Sequence, residues 1–392
     1  MTAPRVATLA LTALPWLVAC ASTGAAAAPS AVAPPRTSPR VSVRAAQGPG
    51  APTGADRRVV ELGVGLGRVC VVLGDRSVRC RSTRALTASG APDDAVVTRP
   101  VPPARDLVVG GDRACVHDDE GATWCWGNAW WCGAGERLDP DVPARVGAVP
   151  RGASIVLPPQ RLNDSGAGLM ARSEDGMVRG LWCGDEQPAD LTEFGGPVRQ
   201  LAAGRSTHCA LLTDGAVTCR EDLGELQRVA GVLAPSAVSV GVGHACALQQ
   251  DGRVLCWPVC EYHEGDGGRG TACGAWERRR HARDDQPPPD IDALVVEGVS
   301  GVTALALGEG VGCGLDGDGA VVCWAFPPPP RHRRRTRRTR LRTGAPYRVP
   351  GLTGVTRVAM DGETLCALRG DGTAWCVSPT LGSAAPVMLR WE

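Results

Sequence analysis

Lysine is absent from the 392-residue chain, so all 42 basic residues are arginine. Isoleucine occurs only at positions 155 and 291, whereas Ala, Gly, Pro, Arg and Val are abundant. This bias is typical of a GC-rich coding sequence, so the numbers of Arg and Pro carry no functional information. The formal net charge at pH 7 is +1, which excludes a strong overall field that would draw the chain to nucleic acid or to a membrane surface.

Long apolar runs are also scarce, and no long window has the apolar period of a helix. The run Val6–Val18 follows Arg5 and is too short to span a bilayer, but it suits the core of a signal peptide. It ends in Leu-Val-Ala-Cys at 17–20, which resembles a bacterial lipobox, where the cysteine is acylated and becomes the new N-terminus. We predict a lipoprotein signal peptide at 1–19 and lipidation of Cys20. The alternative is an ordinary secretory signal with a chance cysteine.

Residues 20–55 are mostly Ala, Pro, Ser, Thr and Gly. Such a segment buries too little apolar surface to fold, so we expect a disordered tether, followed by a folded domain at 56–392. Ala21 stands where an Asp would retain an enterobacterial lipoprotein in the inner membrane. The expected location is the bacterial cell envelope, with the lipid anchor in the outer membrane.

Cysteine is abundant, with 17 residues, which a reduced cytosolic protein rarely carries. A Gly lies six positions after the first Cys of a repeated pair in all but the first pair, and Asp or Glu precedes that Gly. A second Gly lies five positions before the first Cys, except in the last pair, where Asp361 stands. The pairs, each with nine intervening residues, are Cys70 with Cys80, Cys115 with Cys125, Cys209 with Cys219, Cys246 with Cys256, Cys313 with Cys323, and Cys366 with Cys376.

This spacing fits a β-hairpin. A three-residue loop at 213–215 places Cys209 directly opposite Cys219, with Gly215 in the left-handed conformation that such loops favour. Directly opposed strand residues have Cα atoms about 4.5–5.5 Å apart, which suits a disulfide. We therefore predict a disulfide in each paired hairpin. The alternatives are buried free thiols and zinc ligands, although structural zinc sites favour spacings of about two to four residues.

A seventh repeat lacks the cysteines. Residues 173–178 match the turn, with Met170 and Gly180 in the cysteine positions. The seven units recur about every 49 residues, a period that indicates a propeller or a solenoid. Alternating runs such as Ala237–Val240 favour strands over helices.

Four cysteines remain besides Cys20. Cys260 and Cys273 lie in one insertion and are predicted to pair, which would leave Cys132 to pair with Cys183. Spacing alone leaves other connectivities open.

The segment Gly241–Trp257, GVGHACALQQDGRVLCW, resembles a repeat of the regulator of chromosome condensation family, and Cys125–Asn128 keeps the family's Trp-Gly ending. The resemblance covers about residues 59–391 and implies an all-β, seven-bladed propeller with four-stranded blades. With the cysteine pairs, most blades would contain one disulfide-stapled hairpin. Pro386–Leu389 follows the last hairpin, where it is placed to complete the first blade and close the ring.

The eukaryotic namesake of the family is a chromatin-bound guanine-nucleotide exchange factor, an activity that does not transfer to an exported lipoprotein. The cysteine-paired repeats look more like exported bacterial members. A secreted inhibitor of β-lactamase shares the fold class.

Two features are candidates for binding. Trp130 and Trp131 are adjacent, so strand alternation cannot bury both on one face. Residues 331–342 contain eight Arg and one His after four prolines, a composition that suits a polyanion contact or a solvated insertion. The arginines that we single out are Arg333, Arg334, Arg335, Arg337 and Arg338.

We interpret several other polar and aromatic residues as structural. His208 and His244 have no nucleophile in a motif beside them, so we interpret them as structural. Asp316–Gly319 is the common hairpin turn rather than a calcium loop, and the tryptophans beside the paired cysteines are expected to pack between blades. A cluster at 261–266 is either a solvated loop or a metal site. We predict no catalytic residue, no metal and no cofactor.

The sequence therefore favours a lipid-anchored, exported binding or scaffold protein whose partner is an unknown protein or polysaccharide. Its recognition surface would be the long segments 127–168, 258–298 and 325–354. An inhibitor of a secreted enzyme is the main alternative, and a polysaccharide-active enzyme is the third.

Overall fold

The computed structural model describes residues 57–83, 96–127, 142–158, 169–181, 189–190, 194–204, 207–221, 226–259, 290–326, 343–378 and 385–391. All of them belong to one compact unit, Ala51–Glu392. The described residues form strands and turns without helices. No helix that could span a membrane is found among them.

Seven antiparallel sheets form seven blades, in which we label the strands a to d in chain order. Blade 1 consists of β1 (Val59–Gly65), β2 (Arg68–Leu73), β3 (Val78–Ser82) and β4 (Val97–Arg99). Blade 2 consists of β5 (Arg105–Gly110), β6 (Arg113–His117), β7 (Thr123–Gly127) and β8 (Ala144–Arg145). Blade 3 consists of β9 (Ser154–Val156), β10 (Leu169–Arg172), β11 (Val178–Leu181) and β12 (Ala189–Asp190).

The remaining blades repeat this order. Blade 4 consists of β13 (Val198–Ala203), β14 (Thr207–Leu212), β15 (Val217–Glu221) and β16 (Gln227–Ala230), with β20 (Ile291–Asp292) added in parallel to its outer edge. Blade 5 consists of β17 (Pro235–Val240), β18 (His244–Gln249), β19 (Val254–Pro258) and β21 (Leu294–Val295). Blade 6 consists of β22 (Val302–Leu307), β23 (Val311–Asp316), β24 (Val321–Ala325) and β25 (Tyr347–Arg348), and blade 7 of β26 (Val355–Asp361), β27 (Thr364–Arg369), β28 (Ala374–Val377) and β29 (Val387–Leu389).

The a strands of all seven blades contact one another in a closed ring. Seven buried apolar clusters lie between the blades, one at each interface, including the interface of blade 7 with blade 1. The predicted seven-bladed propeller is therefore confirmed. Its core is divided among the interfaces instead of forming one central mass.

All six predicted hairpin disulfides are present. They join Cys70 with Cys80, Cys115 with Cys125, Cys209 with Cys219, Cys246 with Cys256, Cys313 with Cys323, and Cys366 with Cys376. The paired Cα atoms are 4.0–4.1 Å apart, which is shorter than the expected spacing of about 4.5–5.5 Å. The pairing is therefore as predicted, but the strands approach more closely at the sulfurs.

Strand alternation explains part of this closer approach. The Leu212 amide bonds to the Ala216 oxygen at 2.9 Å, which makes these two residues a hydrogen-bonded pair. Counting back from them along the register, Cys209 and Cys219 form a non-hydrogen-bonded pair. Pairs of this kind have the shorter of the two Cα separations in an antiparallel sheet.

The loop that produces these disulfides is also as predicted. Gly215 has φ 87° and follows the three-residue pattern of the hairpin. In blade 1, where Arg replaces this Gly, Arg76 has φ 66°. The register therefore requires a left-handed residue here even when glycine is missing.

The disulfide of each paired hairpin faces the next blade, and in three interfaces it shares a buried cluster with the tryptophan that follows the second cysteine of the next blade. Trp126 lies with the Cys70–Cys80 pair, Trp257 with Cys209–Cys219, and Trp324 with Cys246–Cys256. All three indole rings are at most 1% exposed. The prediction that these tryptophans pack between blades is correct.

Hairpins also bond to the following blade through the backbone. The carbonyl oxygen of the left-handed residue accepts a hydrogen bond from an amide at or near the start of the next blade. The pairs are Arg76 with Ala104, Gly121 with Gly152, Gly176 with Val198, Gly252 with Val302, Gly319 with Val355, and Gly372 with Val59. The left-handed residue thus fixes both the hairpin and its contact with the next blade.

Blade 3 is complete although its repeat is degenerate. Met170 opposes Gly180 in the register of a disulfide, and its side chain, fully buried, lies in the cluster between blades 3 and 4. A thioether fills the space of the missing sulfurs, as the flexible methionine side chain allows.

One topological expectation is wrong. The C-terminal strand β29 pairs with β28 and completes blade 7, not blade 1. Blade 1 already has its own outer strand, β4, which occupies the edge of β3. The ring therefore closes without sharing a strand between its first and last blades.

The register of blade 3 predicts that a seventh disulfide can be added. In the double variant Met170→Cys/Gly180→Cys the new cysteines are directly opposed, so we expect them to oxidise during folding. The bond should raise the free energy of unfolding by about 2–3 kcal/mol, less the packing lost with Met170. Thiol counting under denaturing conditions and denaturant unfolding measure the two effects.

The matched control is Met170→Cys/Arg179→Cys. Arg179 opposes Ala171 and lies on the other side of the sheet, so this pair should stay reduced. Equal oxidation in both variants would contradict the register.

Candidate binding face

The two ends of the blades differ in the length of their connections. Because successive strands are antiparallel, all a–b turns and c–d connections lie at one end, and all b–c hairpins and d–a connections lie at the other. The b–c hairpins are short, from 74–77 in blade 1 to 370–373 in blade 7. The c–d connections include the long segments 259–290 and 326–346. We call the first end the collar face and the second the hairpin face.

Small residues surround the centre of the collar face. We define the collar as the residues at the ends of the a strands: Gly65, Gly110, Gly204, Gly241, Gly308 and Asp361. A Cβ on Gly241 would lie 2.6 Å from the Gly308 carbonyl oxygen of the next blade. Gly65 and Gly308 likewise face a carbonyl oxygen of the next blade with no room for a side chain. The spaced glycines of the sequence are therefore places where two blades meet backbone to backbone.

Backbone hydrogen bonds join the collar turns of neighbouring blades. The Leu66 amide donates to the Gly111 oxygen at 2.6 Å, and the Glu309 amide donates to the Gly362 oxygen at 2.7 Å. The Val242 amide makes the same bond to the Gly308 oxygen at 3.1 Å. The a–b turns of blades 1 and 2 and of blades 5 to 7 thus form continuous backbone contacts.

Asp361 replaces the collar glycine in blade 7 and bonds across blade 1. Its Oδ2 accepts a hydrogen bond at 3.1 Å from the Gly111 amide of blade 2. The carboxylate therefore ties together two blades that are not neighbours. In the sequence, Asp361 is the one exception to the glycine pattern, but the pattern alone indicated no role for it. That exception was the feature from which a special contact could have been predicted.

The long c–d connections begin at fixed points beside the collar. In three blades the first residue after strand c donates its amide to a carbonyl oxygen in the a–b turn of the same blade. These bonds are Thr83 to Gly67 at 2.9 Å, Val259 to Gly243 at 3.0 Å and Phe326 to Gly310 at 2.8 Å. Three insertions therefore leave the propeller from defined positions on one face.

His244 fixes one of these roots. Its imidazole stacks on the Phe326 ring of the next blade, with centroids 4.0 Å apart and an interplanar angle of 12°. Burial lowers the pKa of His244 to about 4, so the ring is neutral near pH 7 and stacks without a charge. His208 lies buried in β14. Both residues thus lie in the packing between or within blades.

On the hairpin face, the aspartates serve their own turns. Asp371 accepts hydrogen bonds from the amide and hydroxyl of Thr373, and the hydroxyl is the larger cause of its lowered pKa. Asp316 accepts from the amides of Asp318 and Ala320 and pairs with Arg348 at 2.9 Å. The calcium-like sequence at 316–319 is therefore a hydrogen-bonded hairpin turn.

Exposed charge on the described collar turns is acidic. Glu309 and Glu363 are exposed in the turns of blades 6 and 7. Arg68 and Arg113 instead donate to the backbone carbonyl oxygens of Asp112 and Pro158. In the part of the chain that the structure describes, no group of three or more His, Cys, Asp or Glu side chains could hold a metal ion.

Several predicted residues fall outside the described ranges. They are Cys20, Trp130, Trp131, Cys132, Cys183, the 261–266 cluster, Cys260, Cys273, Arg333, Arg334, Arg335, Arg337 and Arg338. Predictions for these residues remain predictions. The strand before each of the segments 128–141 and 327–342 ends at the collar face, and the strand after it begins there.

The segments predicted to form the recognition surface are not loops throughout, as we had expected. Segment 127–168 contains β8 and β9, and the connection between those two strands crosses the hairpin face. Segments 258–298 and 325–354 also contain strands at 291–292, 294–295 and 347–348. The short d strands lack the cysteine motif that marks the hairpins, so the sequence pattern did not indicate them.

Comparison with known proteins supports the fold. No family model matches the chain, and no curated protein matches it. Among solved structures, Prp20p of Saccharomyces cerevisiae is similar with a TM-score of 0.50 and 16% identity over 74% of this chain and 77% of that chain. The yeast protein is also described as yeast RCC1. Human WBSCR16 has a TM-score of 0.55 and 13% identity, covering 80% of this chain and 88% of that chain.

The fold is therefore an RCC1-like propeller, and at these identities the likeness concerns the fold alone. The tricorn protease is also similar, with a TM-score of 0.51 and 8% identity over 86% of this chain but 34% of that chain. Propellers of this shape thus occur in proteins of different kinds.

The collar geometry predicts that one added methyl group destabilises the protein. In Gly241→Ala the Cβ meets the carbonyl of the next blade, so two blades must separate. We expect a loss of about 2–3 kcal/mol in the free energy of unfolding, measured with denaturant. Gly317→Ala is the control, because a Cβ there meets nothing within 4 Å. A loss as large in the control would argue against the collar contact.

Proposed function

We propose that this protein is an exported, lipid-anchored propeller that binds a macromolecular partner on its collar face. The observation that carries the proposal is the asymmetry of the two faces. The connections longer than eight residues all run between strand ends at the collar face, whereas the b–c hairpins and d–a connections of the hairpin face are eight residues long or shorter. Loops mounted on a rigid scaffold are the usual place for recognition.

Export is supported by the disulfides. The twelve cysteines of the six hairpin pairs are at most 3% exposed, so they contribute to the interfaces between blades. Such bonds form and persist in oxidising compartments. Together with the lipobox-like sequence ending at Cys20, they favour a lipid-anchored protein of the bacterial cell envelope, in the outer membrane.

The sequence supports two kinds of partner for this face. Trp130–Trp131 and the arginines of 331–342 belong to connections whose flanking strands end at the collar face. An aromatic pair and a basic segment suit a protein or an anionic polysaccharide. The yeast protein's binding to Gsp1p and histones is a property of that protein, and we do not propose it for an exported chain.

Lipidation predicts a specific labelling pattern. In a bacterium that processes lipoproteins, the full chain should incorporate labelled palmitate and fractionate with membranes. Cys20→Ser should abolish the label and release the protein, because one thiol carries the anchor. Cys132→Ser is the control and should keep both properties. Palmitate incorporation that survives Cys20→Ser would exclude this anchor.

Charge reversal on each face tests the binding surface. With the chain starting at residue 56 as bait, cross-linking to envelope proteins and polysaccharides should capture a partner. Glu309→Arg/Glu363→Arg on the collar face should change that capture at least about tenfold, the effect of roughly 1.4 kcal/mol. The change should be a gain for an anionic partner and a loss for a cationic one, because two exposed charges are reversed. Glu174→Arg/Asp318→Arg changes the same charge on exposed hairpin tips and should have little effect. The opposite ranking would move the binding surface to the hairpin face.

A further inference from the structure

Among the described residues, one interface of the ring is not crossed by a d–a connection. Blades 1 to 7 follow one another in sequence, so a d–a connection joins each neighbouring pair except blades 7 and 1. All four strands of blade 1 come from residues 59–99, and all four of blade 7 come from residues 355–389. Among the described strands, none is shared across this interface, which we call the seam.

In its packing the seam resembles the other interfaces. Its apolar cluster includes Val59, Leu62 and Val71 of blade 1 and Leu368 and Ala374 of blade 7. The Val59 amide donates to the Gly372 oxygen at 3.0 Å, as the Val302 amide does to the Gly252 oxygen at 3.1 Å between blades 5 and 6. What the seam lacks is a d–a connection from blade 7 to blade 1.

The C-terminal residues supply an additional contact at the seam. After β29 the chain continues onto blade 1, where Arg81 Nη1 donates to the Arg390 carbonyl oxygen at 3.0 Å. Arg79, two residues earlier on β3, donates to the carbonyl oxygen of Trp391. The Trp391 side chain is 7% exposed and lies in the seam cluster beside Leu389.

We propose that Arg390 and Trp391 form a strap that holds the propeller closed at the seam. Every other neighbouring pair of blades is held by a d–a connection, so blades 7 and 1 can separate without stretching one. The strap opposes that separation because it begins on the outer strand of blade 7 and is bound by two arginines of blade 1. If the strap leaves, Arg81, a side chain only 7% exposed, loses its carbonyl partner, which is costly for a buried charged donor.

The strap also accounts for the course of the C-terminus. A strand shared between the first and last blades would close the ring by β-pairing, but blade 1 already has its outer strand. A tail with a large aromatic anchor and two accepted hydrogen bonds replaces that pairing. Local opening at this interface should therefore depend on the residues that follow β29.

Hydrogen exchange resolved to single amides tests this proposal on the full-length protein. The reporter is the Val59 amide, which bonds across the seam. The Val302 amide and the Val198 amide, bonded to Gly176 at 2.9 Å, are internal controls at interfaces that the chain crosses. A chain that ends at Leu389 should exchange Val59 at least about tenfold faster while Val198 and Val302 change little.

A second variant distinguishes a strap from general stabilisation. Trp324→Ala removes an equally large buried side chain between blades 5 and 6, so it should speed exchange at Val302 more than at Val59. If the shortened chain does not fold, Arg81→Gln and Trp391→Ala in the intact chain provide the same comparison. Unchanged exchange at Val59, or equal acceleration at all three amides, would overturn the proposal.

Discussion

In every blade the residue six positions after the first cysteine position has a positive φ, and this closes the b–c hairpin in a single register. That register puts two cysteines directly opposite each other, within reach of a disulfide. It also turns the carbonyl group of the same residue toward the next blade, where in six interfaces it accepts a hydrogen bond. Hairpin geometry and the contact between blades therefore have one cause.

The disulfides contribute to the assembly as well as to the hairpins. Each disulfide lies on the side of its blade that faces the next blade, within the buried cluster of that interface. In the last two blades these disulfides are Cys313 with Cys323 and Cys366 with Cys376. A propeller of this kind has little central core, so most of its stability must come from these interfaces. Covalent links inside the hairpins limit the freedom of the unfolded chain, while the sulfurs pack against the neighbouring blade. Blade 3 shows that packing can be supplied without the covalent bond, because Met170 occupies the same place.

Close packing at the collar fixes the points from which the c–d connections begin. Glycines there allow neighbouring turns to meet through backbone hydrogen bonds, and Asp361 extends the same contacts across blade 1. The long insertions then begin from anchored residues such as Val259 and Phe326. A rigid end with variable connections is a suitable platform for recognition, whereas the hairpin face uses its aspartates to complete its own turns.

The number of blades, the hairpin register and six disulfides could be predicted from the sequence because each depends on residues within about a dozen positions of one another, repeated along the chain. The short d strands and the pairing of the C-terminal strand could not, because two or three residues without a motif carry too little local signal. Tertiary structure alone decided the collar bond from Asp361 to Gly111, the stacking of His244 on Phe326 and the docking of Arg390 on Arg81. These contacts join residues far apart in sequence, and only the closing of the ring brings them together.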